Sequence, residues 1–380
     1  MSSGPRPGAL RVALVLLKVG VIAFGGPVTH VAFMRRELVE RRRWLDQETF
    51  LRMFAACNLI PGPSSTELAI FAGYRLAGWP GLLLSGALFI APAMAAMLAI
   101  AWAYARFGTS AVAVAALGGV RPIVVGIVAW ALLDLGRRIA DRALGIVLAA
   151  LTGLLSLLGM NPVLLLVAGG LALLAVRYGG TWLRRGDGTG CLSLAGGPGL
   201  VLLAHGERLP VLFWTFLEVG AVSFGSGYVL FAYLHADFVQ GLHWLTPLQL
   251  ADAIAIGQVT PGPVFTTATF LGYLFAGVAG ALVGTVAIFL PGFVLVPFLD
   301  RIVRLEEASP PVRTFLDGVN MAVIGLIAAV TLQLGLSSIR TPMAAVVAVA
   351  CFAILLRQPL ATPVLVLAGA ALGLLSAGAF

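Results

Sequence analysis

Phe24-Gly25-Gly26-Pro27, Trp44-Leu45 and Pro61-Gly62-Pro63 return 200 residues later as Phe224-Gly225-Ser226-Gly227, Trp244-Leu245 and Pro261-Gly262-Pro263. Past one deletion the register becomes 199. Gly73-Tyr74 then matches Gly272-Tyr273, Pro92 matches Pro291, and Gly119-Val120 and Gly126 match Gly318-Val319 and Gly325. The chain is thus an internal duplication with helix breakers at matching places in apolar sequence. Secondary transporters are built this way, and their discontinuous helices mark the binding site.

Working outward, the 380 residues are 60% hydrophobic and 11% charged, whereas soluble domains carry about 25% charge. Apolar runs of bilayer-spanning length recur along the chain without strand-like alternation, which implies a polytopic helical membrane protein and excludes a β-barrel. The net charge of +8 is no nucleic-acid footprint, because the arginines sit in short loops between apolar runs, as the positive-inside rule predicts. The single lysine, Lys18, lies within an apolar run, so no Walker A motif exists. Cys57, Cys191 and Cys351 have no paired spacing, and the four histidines form no metal motif. No metal or cofactor is expected. The first apolar stretch lacks a small-residue cleavage site, so no cleavable signal peptide is evident.

The apolar segments run over 9–34, 80–105, 111–136, 143–158 and 162–177, then 210–234, 279–300, 314–336, 342–356 and 359–379. This divides the chain into a first transmembrane repeat (1–178), a cytoplasmic linker (179–209) and a second repeat (210–380). Residues 47–60 and 64–77 flank Pro61-Gly62-Pro63, and 247–260 and 264–277 flank Pro261-Gly262-Pro263. Each arm reaches about 21 Å as a helix, short of a core of about 30 Å. The reading is a re-entrant hairpin in each half. Arg35, Arg36, Arg41, Arg42 and Arg43 follow the first apolar segment, while residues 235–246 contain no Lys or Arg. That asymmetry and an odd span count per half predict opposite orientations. The expected fold is therefore an all-α polytopic membrane protein of two inverted-topology repeats, each about five transmembrane helices plus a re-entrant hairpin broken at Pro-Gly-Pro.

Proline ends one helix and permits another to start, and open backbone at membrane depth is tolerated only where protein or a wet cavity meets it. The candidate substrate-binding residues are accordingly Asn58, Pro61, Gly62, Pro63, Ser64, Ser65 and Thr66 at the first tip, with Gln258, Pro261, Gly262, Pro263, Thr266 and Thr267 at the second. Helix N-termini with adjacent hydroxyls suit anions; a plain structural kink is the competing reading. Asn58 and Gln258 could equally cap backbone. Gly25, Gly26, Gly225 and Ser226 unwind the first segments opposite the tips, or serve close helix packing. Lys18 and Glu218 occupy equivalent positions in apolar runs, which costs at least about 2.5–3.5 kcal/mol each. A Lys18–Glu218 pair that gates or couples is expected, against simple snorkelling. Glu67 stands just past the first tip, where a carboxylate repels an anion unless protonated, making it a candidate proton carrier; its counterpart is Thr267.

With these motifs in view, the chain resembles the chromate ion transporter family, in its two-domain form. The match rests on Phe24-Gly25-Gly26-Pro27, Phe224-Gly225-Ser226-Gly227, both Pro-Gly-Pro tips with the Gly-Tyr that follows, and the later Gly-Val positions, over roughly residues 10–136 and 210–336. Ser226-Gly227 departs from Gly26-Pro27. The resemblance implies a secondary transporter exporting chromate across the bacterial inner membrane, conferring resistance, with sulfate as a similar competitor. A sulfate or other oxyanion permease, or an anion channel on the same fold, remains open. No paired carboxylates, metal triad or nucleophile–base set suggests an enzyme. The expected partners are the dianion, membrane lipid and a second copy of the chain, and no nucleic acid.

Overall fold

The computed structural model describes residues 7–23, 27–137, 142–185, 208–224, 227–358 and 362–376. Among them are helices and no strand. Gly25, Gly26, Gly225 and Ser226 lie outside the described residues, as does most of the expected linker. In the first half α1 is Ala9–Ile22, and α2 is Pro27–Arg35, continued by a π-helical turn over Arg36–Arg41. Next come α3 (Gln47–Cys57), α4 (Ser64–Phe107), α5 (Ala111–Gly136), α6 (Arg142–Leu157) and α7 (Pro162–Arg185). The second half repeats the order. Its helices are α8 (Arg208–Val222), α9 (Val229–Leu234) with a π-helical turn over His235–Gly241, and α10 (Pro247–Val259). They continue as α11 (Thr267–Leu295), α12 (Leu299–Ala308), α13 (Pro310–Ser338), α14 (Pro342–Arg357) and α15 (Thr362–Leu375).

The repeat extends to backbone detail. Arg43 and His243 share a φ of 54°. The Trp44 and Leu45 N–H groups both donate to the Leu38 carbonyl, and those of Trp244 and Leu245 both donate to Phe238. Inside α4, Ala77 (φ −141°, ψ 18°) and Gly78 (φ 65°, ψ −153°) leave helical geometry; inside α11, Ala276 and Gly277 (φ 62°, ψ −150°) do the same. The chain reverses there. In a continuous helix Gly73 and Gly81 would stand about 12 Å apart, yet a Cβ on Gly73 would overlap the Gly81 carbonyl. Likewise Thr269 Oγ1 and Thr285 Oγ1 are 2.7 Å apart across the second reversal. Each long element is therefore two antiparallel arms, 64–76 against 79–107 and 267–275 against 278–295.

The segments expected as first spans also fold back. The Arg11 guanidinium lies 5.6 Å from the Trp44 ring centre, Lys18 Nζ is 3.0 Å from Glu37 Oε1, and His30 Nε2 is 3.1 Å from the Ala23 carbonyl. These pairings run antiparallel. In the second half Arg208 covers Trp244 at 5.6 Å, and the Tyr233 hydroxyl donates to the Val222 carbonyl at 3.2 Å. The apolar runs 9–34 and 210–234 are thus helix–break–helix units rather than single spans. Apolarity continues through each break and hides it.

Among the described residues four apolar helical stretches are long enough to cross a membrane, the first and third counted across their reversals: Ser64–Phe107, Ala111–Gly136, Val264–Leu305 and Pro310–Ser338. Ala143–Leu157, Pro162–Tyr178, Pro342–Arg357 and Thr362–Leu375 are apolar but shorter. Because 9–34 and 210–234 are not single spans, the parity of five spans per half no longer argues for inversion. Leu83, Val114, Val147, Leu151, Val286, Val346 and Leu367 all face outward on these helices. So broad an apolar exterior suits acyl chains, and the chain is a multi-pass membrane protein.

Packing crosses between halves. Side chains on Gly119 or Gly126 of α5 would meet the carbonyls of Gly369 in α15 or Ala348 in α14. Gly325 and Gly318 of α13 similarly abut the carbonyls of Ala149 in α6 and Gly169 in α7. Small residues let helix backbones approach where lipid offers no hydrophobic drive.

Gly78 and Gly277 occupy a region of conformational space open essentially to glycine, although open space surrounds the position of each missing Cβ. Gly78→Ala and Gly277→Ala should each cost about 1–3 kcal/mol. Gly136→Ala, at an equally open but ordinary position, should leave the thermal midpoint of the detergent-solubilised protein unchanged or raised.

Candidate functional site

Both Pro-Gly-Pro tips are breaks between helices, and only glycine fits their centres: Gly62 has φ 125° and Gly262 has φ 95°. Each tip reaches into the other half. The Gly62 N–H donates to the Ser223 carbonyl at 2.8 Å, and the Gly262 N–H donates to the Ala23 carbonyl at 3.4 Å. Ala23 and Ser223 are the equivalent residues that end the first helix of each half. One half's tip therefore closes the backbone left open by the break in the other.

Around the first tip the candidate residues divide into satisfied and unsatisfied groups. Ser64 Oγ donates to Asn58 Oδ1 at 2.8 Å, and Asn58 Nδ2 donates to the Phe54 carbonyl at 3.0 Å, so Asn58 caps the break. Ser65 Oγ is 3.1 Å from His30 Nδ1, and His30 is buried between Ser65 and Ala23. Thr66 Oγ1 and both Glu67 carboxyl oxygens are buried with no hydrogen-bond partner. They line a cavity of about 10 Å³ with Gly62, Pro63, Ile70, Gly220, Ile288, Phe289 and Gly292, room for about one water.

The second tip differs in chemistry. Thr266 Oγ1 donates to the Pro263 carbonyl and Thr267 Oγ1 to that of Val264, each at 2.7 Å. Both hydroxyl protons are thus committed to their own turn. Gln258 is buried, and its Nε2 has no partner. Each tip therefore holds one buried uncommitted donor, the Thr66 hydroxyl and the Gln258 amide.

The expected Lys18–Glu218 pair does not form. Lys18 binds Glu37, which also receives Arg41 Nη1 at 2.9 Å and Arg42 Nη1. Glu37 is buried, and the three cations keep it compensated. These two equivalent positions are not neighbours here: Lys18 pairs with the return segment of its own half, and Glu218 is exposed on α8.

A buried ion pair that sequence reasoning missed ties the halves together. Arg121 in α5 donates Nε to Asp252 Oδ1 at 2.8 Å and Nη2 to Oδ2 at 3.0 Å, and the Tyr104 hydroxyl of α4 donates to Oδ2 at 2.9 Å. Asp252 belongs to α10 and is buried. The available signal was an acid within the apolar run Leu250-Ala251-Asp252-Ala253-Ile254, where charge demands a partner; His30 gave a similar one. Breaking the pair from one side should cost about 3–5 kcal/mol by exposing an uncompensated charge. Arg121→Met and Asp252→Asn should each lower the thermal midpoint, and the double variant should lose less than their sum.

A broad opening of about 500 Å³ lies at one end of the molecule, lined among others by Tyr104, Thr109, Arg208, His243, Trp244 and Gln249. At another place Arg75 of α4 pairs with Asp300 of α12 at 2.9 Å.

The chromate transporter family model matches residues 10–174 and 211–374. A chromate transport protein of Cupriavidus metallidurans is 31% identical over 371 residues, covering 96% of this chain and 92% of that protein. One from Pseudomonas aeruginosa is 33% identical over 331 residues, covering 84% of this chain and 79% of its own length. An uncharacterized transporter of Bacillus subtilis is 29% identical over 167 residues, which span 42% of this chain and 89% of that protein. No solved structure matches the chain.

Proposed function

The chain belongs to the chromate transporter family, and from that premise we propose a secondary transporter that carries chromate out across the bacterial inner membrane and so confers resistance, with sulfate competing for the same site. The observation that carries the reading is the pair of buried donors without protein partners, one at each tip: the Thr66 hydroxyl and the Gln258 amide. Donors left open inside an apolar membrane protein are costly, and an oxyanion oxygen is the acceptor that satisfies them best. The absence of a Walker A lysine fits transport driven by gradients. The tight closure around the first tip favours a carrier over an open channel.

The halves are read as inverted repeats. The first half's return end, at Thr109, lines an opening with the second half's entry residues Arg208, His243 and Trp244. Arg75 of the first half pairs with Asp300 near the opposite end of the second. The excess of arginine over residues 35–43, against none over 235–246, agrees with placing these loops on opposite faces. Residues 1–178 and 210–380 are read as the two repeats, and a relative of half this length supports treating one half as a unit. Alternating access then exposes the tips to either side in turn.

Chromate uptake by proteoliposomes tests the site. A hydrogen bond to a charged group is worth about 1.5–3 kcal/mol, so Thr66→Val and Gln258→Leu should each cut transport about tenfold or more. Arg42→Ala should leave the rate of correctly inserted protein near wild type. Wild-type rates in both tip variants would remove the proposal.

A further inference from the structure

Glu67 is buried to 1% exposure with neither carboxyl oxygen bonded. Its Oε1 fills the space that a Cβ on Gly62 would need, and Gly292 of α11 stands against its Cγ. The other tip has no such arrangement. Thr267 replaces Glu67 there, and the residue equivalent to Gly292 is Ala93, whose methyl packs against Gly262. The duplication has thus been edited at two facing positions so that one tip alone holds a carboxyl and the room beside it.

An ionised carboxylate without donor or counter-ion is costly in such surroundings, and it would repel a dianion at the adjacent Thr66 hydroxyl. A protonated carboxyl reverses both effects, since its O–H becomes a second donor into the cavity. Among the described residues lining the cavity, none supplies a compensating charge. The facing residues of α8 and α11, namely Gly220, Ile288, Phe289 and Gly292, carry none. Cys57 of α3 is buried close by, and His30 of α2 is held between Ser65 and Ala23.

Resting on the oxyanion reading above, we propose that Glu67 is a proton-linked binding group: the site accepts the dianion only with Glu67 protonated, so one proton is taken up with the oxyanion. The proton enters from water onto a Glu67 oxygen and is released to water when Glu67 ionises after the anion dissociates.

Linkage fixes the sign of the pH dependence. Binding to the protonated form is flat at low pH and weakens about tenfold per unit of pH once Glu67 ionises in the unliganded protein. Sulfate is the appropriate probe because it remains a dianion across the neutral range. Equilibrium binding of radiolabelled sulfate to the purified full-length protein should show that decline in wild type. Glu67→Gln and Glu67→Thr, the latter copying the second tip, should bind without it. A flat wild-type profile, or a slope retained in both variants, would overturn the inference. Binding of neither sulfate nor chromate by wild type at any pH would instead count against the oxyanion reading itself.

Discussion

The architecture depends on a backbone problem solved by exchange. A helix broken inside an apolar phase leaves N–H and C=O groups that lipid cannot satisfy, so such breaks survive only where other protein covers them. Among the described residues, helices end at equivalent places after residues 22 and 57 and again after 222 and 259. It resolves the problem by crossing the Gly62 N–H to the Ser223 carbonyl and the Gly262 N–H to the Ala23 carbonyl. Neither half can close its own centre. The reciprocity also explains why glycine sits at both tips, where the left-handed backbone permits the approach.

The remaining packing follows the same reciprocal plan. Helices α14 and α15 of the second half serve α5 of the first, and α6 and α7 of the first half serve α13 of the second, through glycine-lined contacts. Onto this shared scaffold the two halves place different chemistry. The first tip carries Thr66 and Glu67 beside a small cavity, while the second commits Thr266 and Thr267 to its own turn and leaves Gln258 open. Arg121, Tyr104 and Asp252 form a polar clasp drawn from both halves. The frame is symmetric and its centre is not: of the two tips, the first alone carries a buried carboxyl.

Much of this was legible in the residues. The duplication, the Pro-Gly-Pro breaks and the candidate hydroxyls all come from motif spacing, which backbone chemistry translates directly. The reversals at Ala77-Gly78 and Ala276-Gly277 fall where the arms 64–77 and 264–277 give way to the apolar segments 80–105 and 279–300. The fold-back of α2 onto α1 was missed because hydrophobicity continues along the run 9–34. Lys18 and Glu218 were misjudged for a different reason. Repeat equivalence fixes like environments, and nearness across the pseudo-symmetry belongs instead to tip and break. The Arg121–Asp252 pair, 131 residues apart in sequence, required a tertiary arrangement that no local pattern encodes.

Opposite orientation of the two halves is the claim on which the transport account turns, and side-specific cysteine labelling tests it most directly. Arg43 and His243 are exposed equivalents in the loops between the fold-back units and the tips, and Thr109 is exposed at the opening beside His243. With the native cysteines replaced, Arg43→Cys should react with a membrane-impermeant maleimide from one side of the membrane only. His243→Cys and Thr109→Cys should react only from the other. Labelling of Arg43→Cys and His243→Cys from the same side would contradict the account.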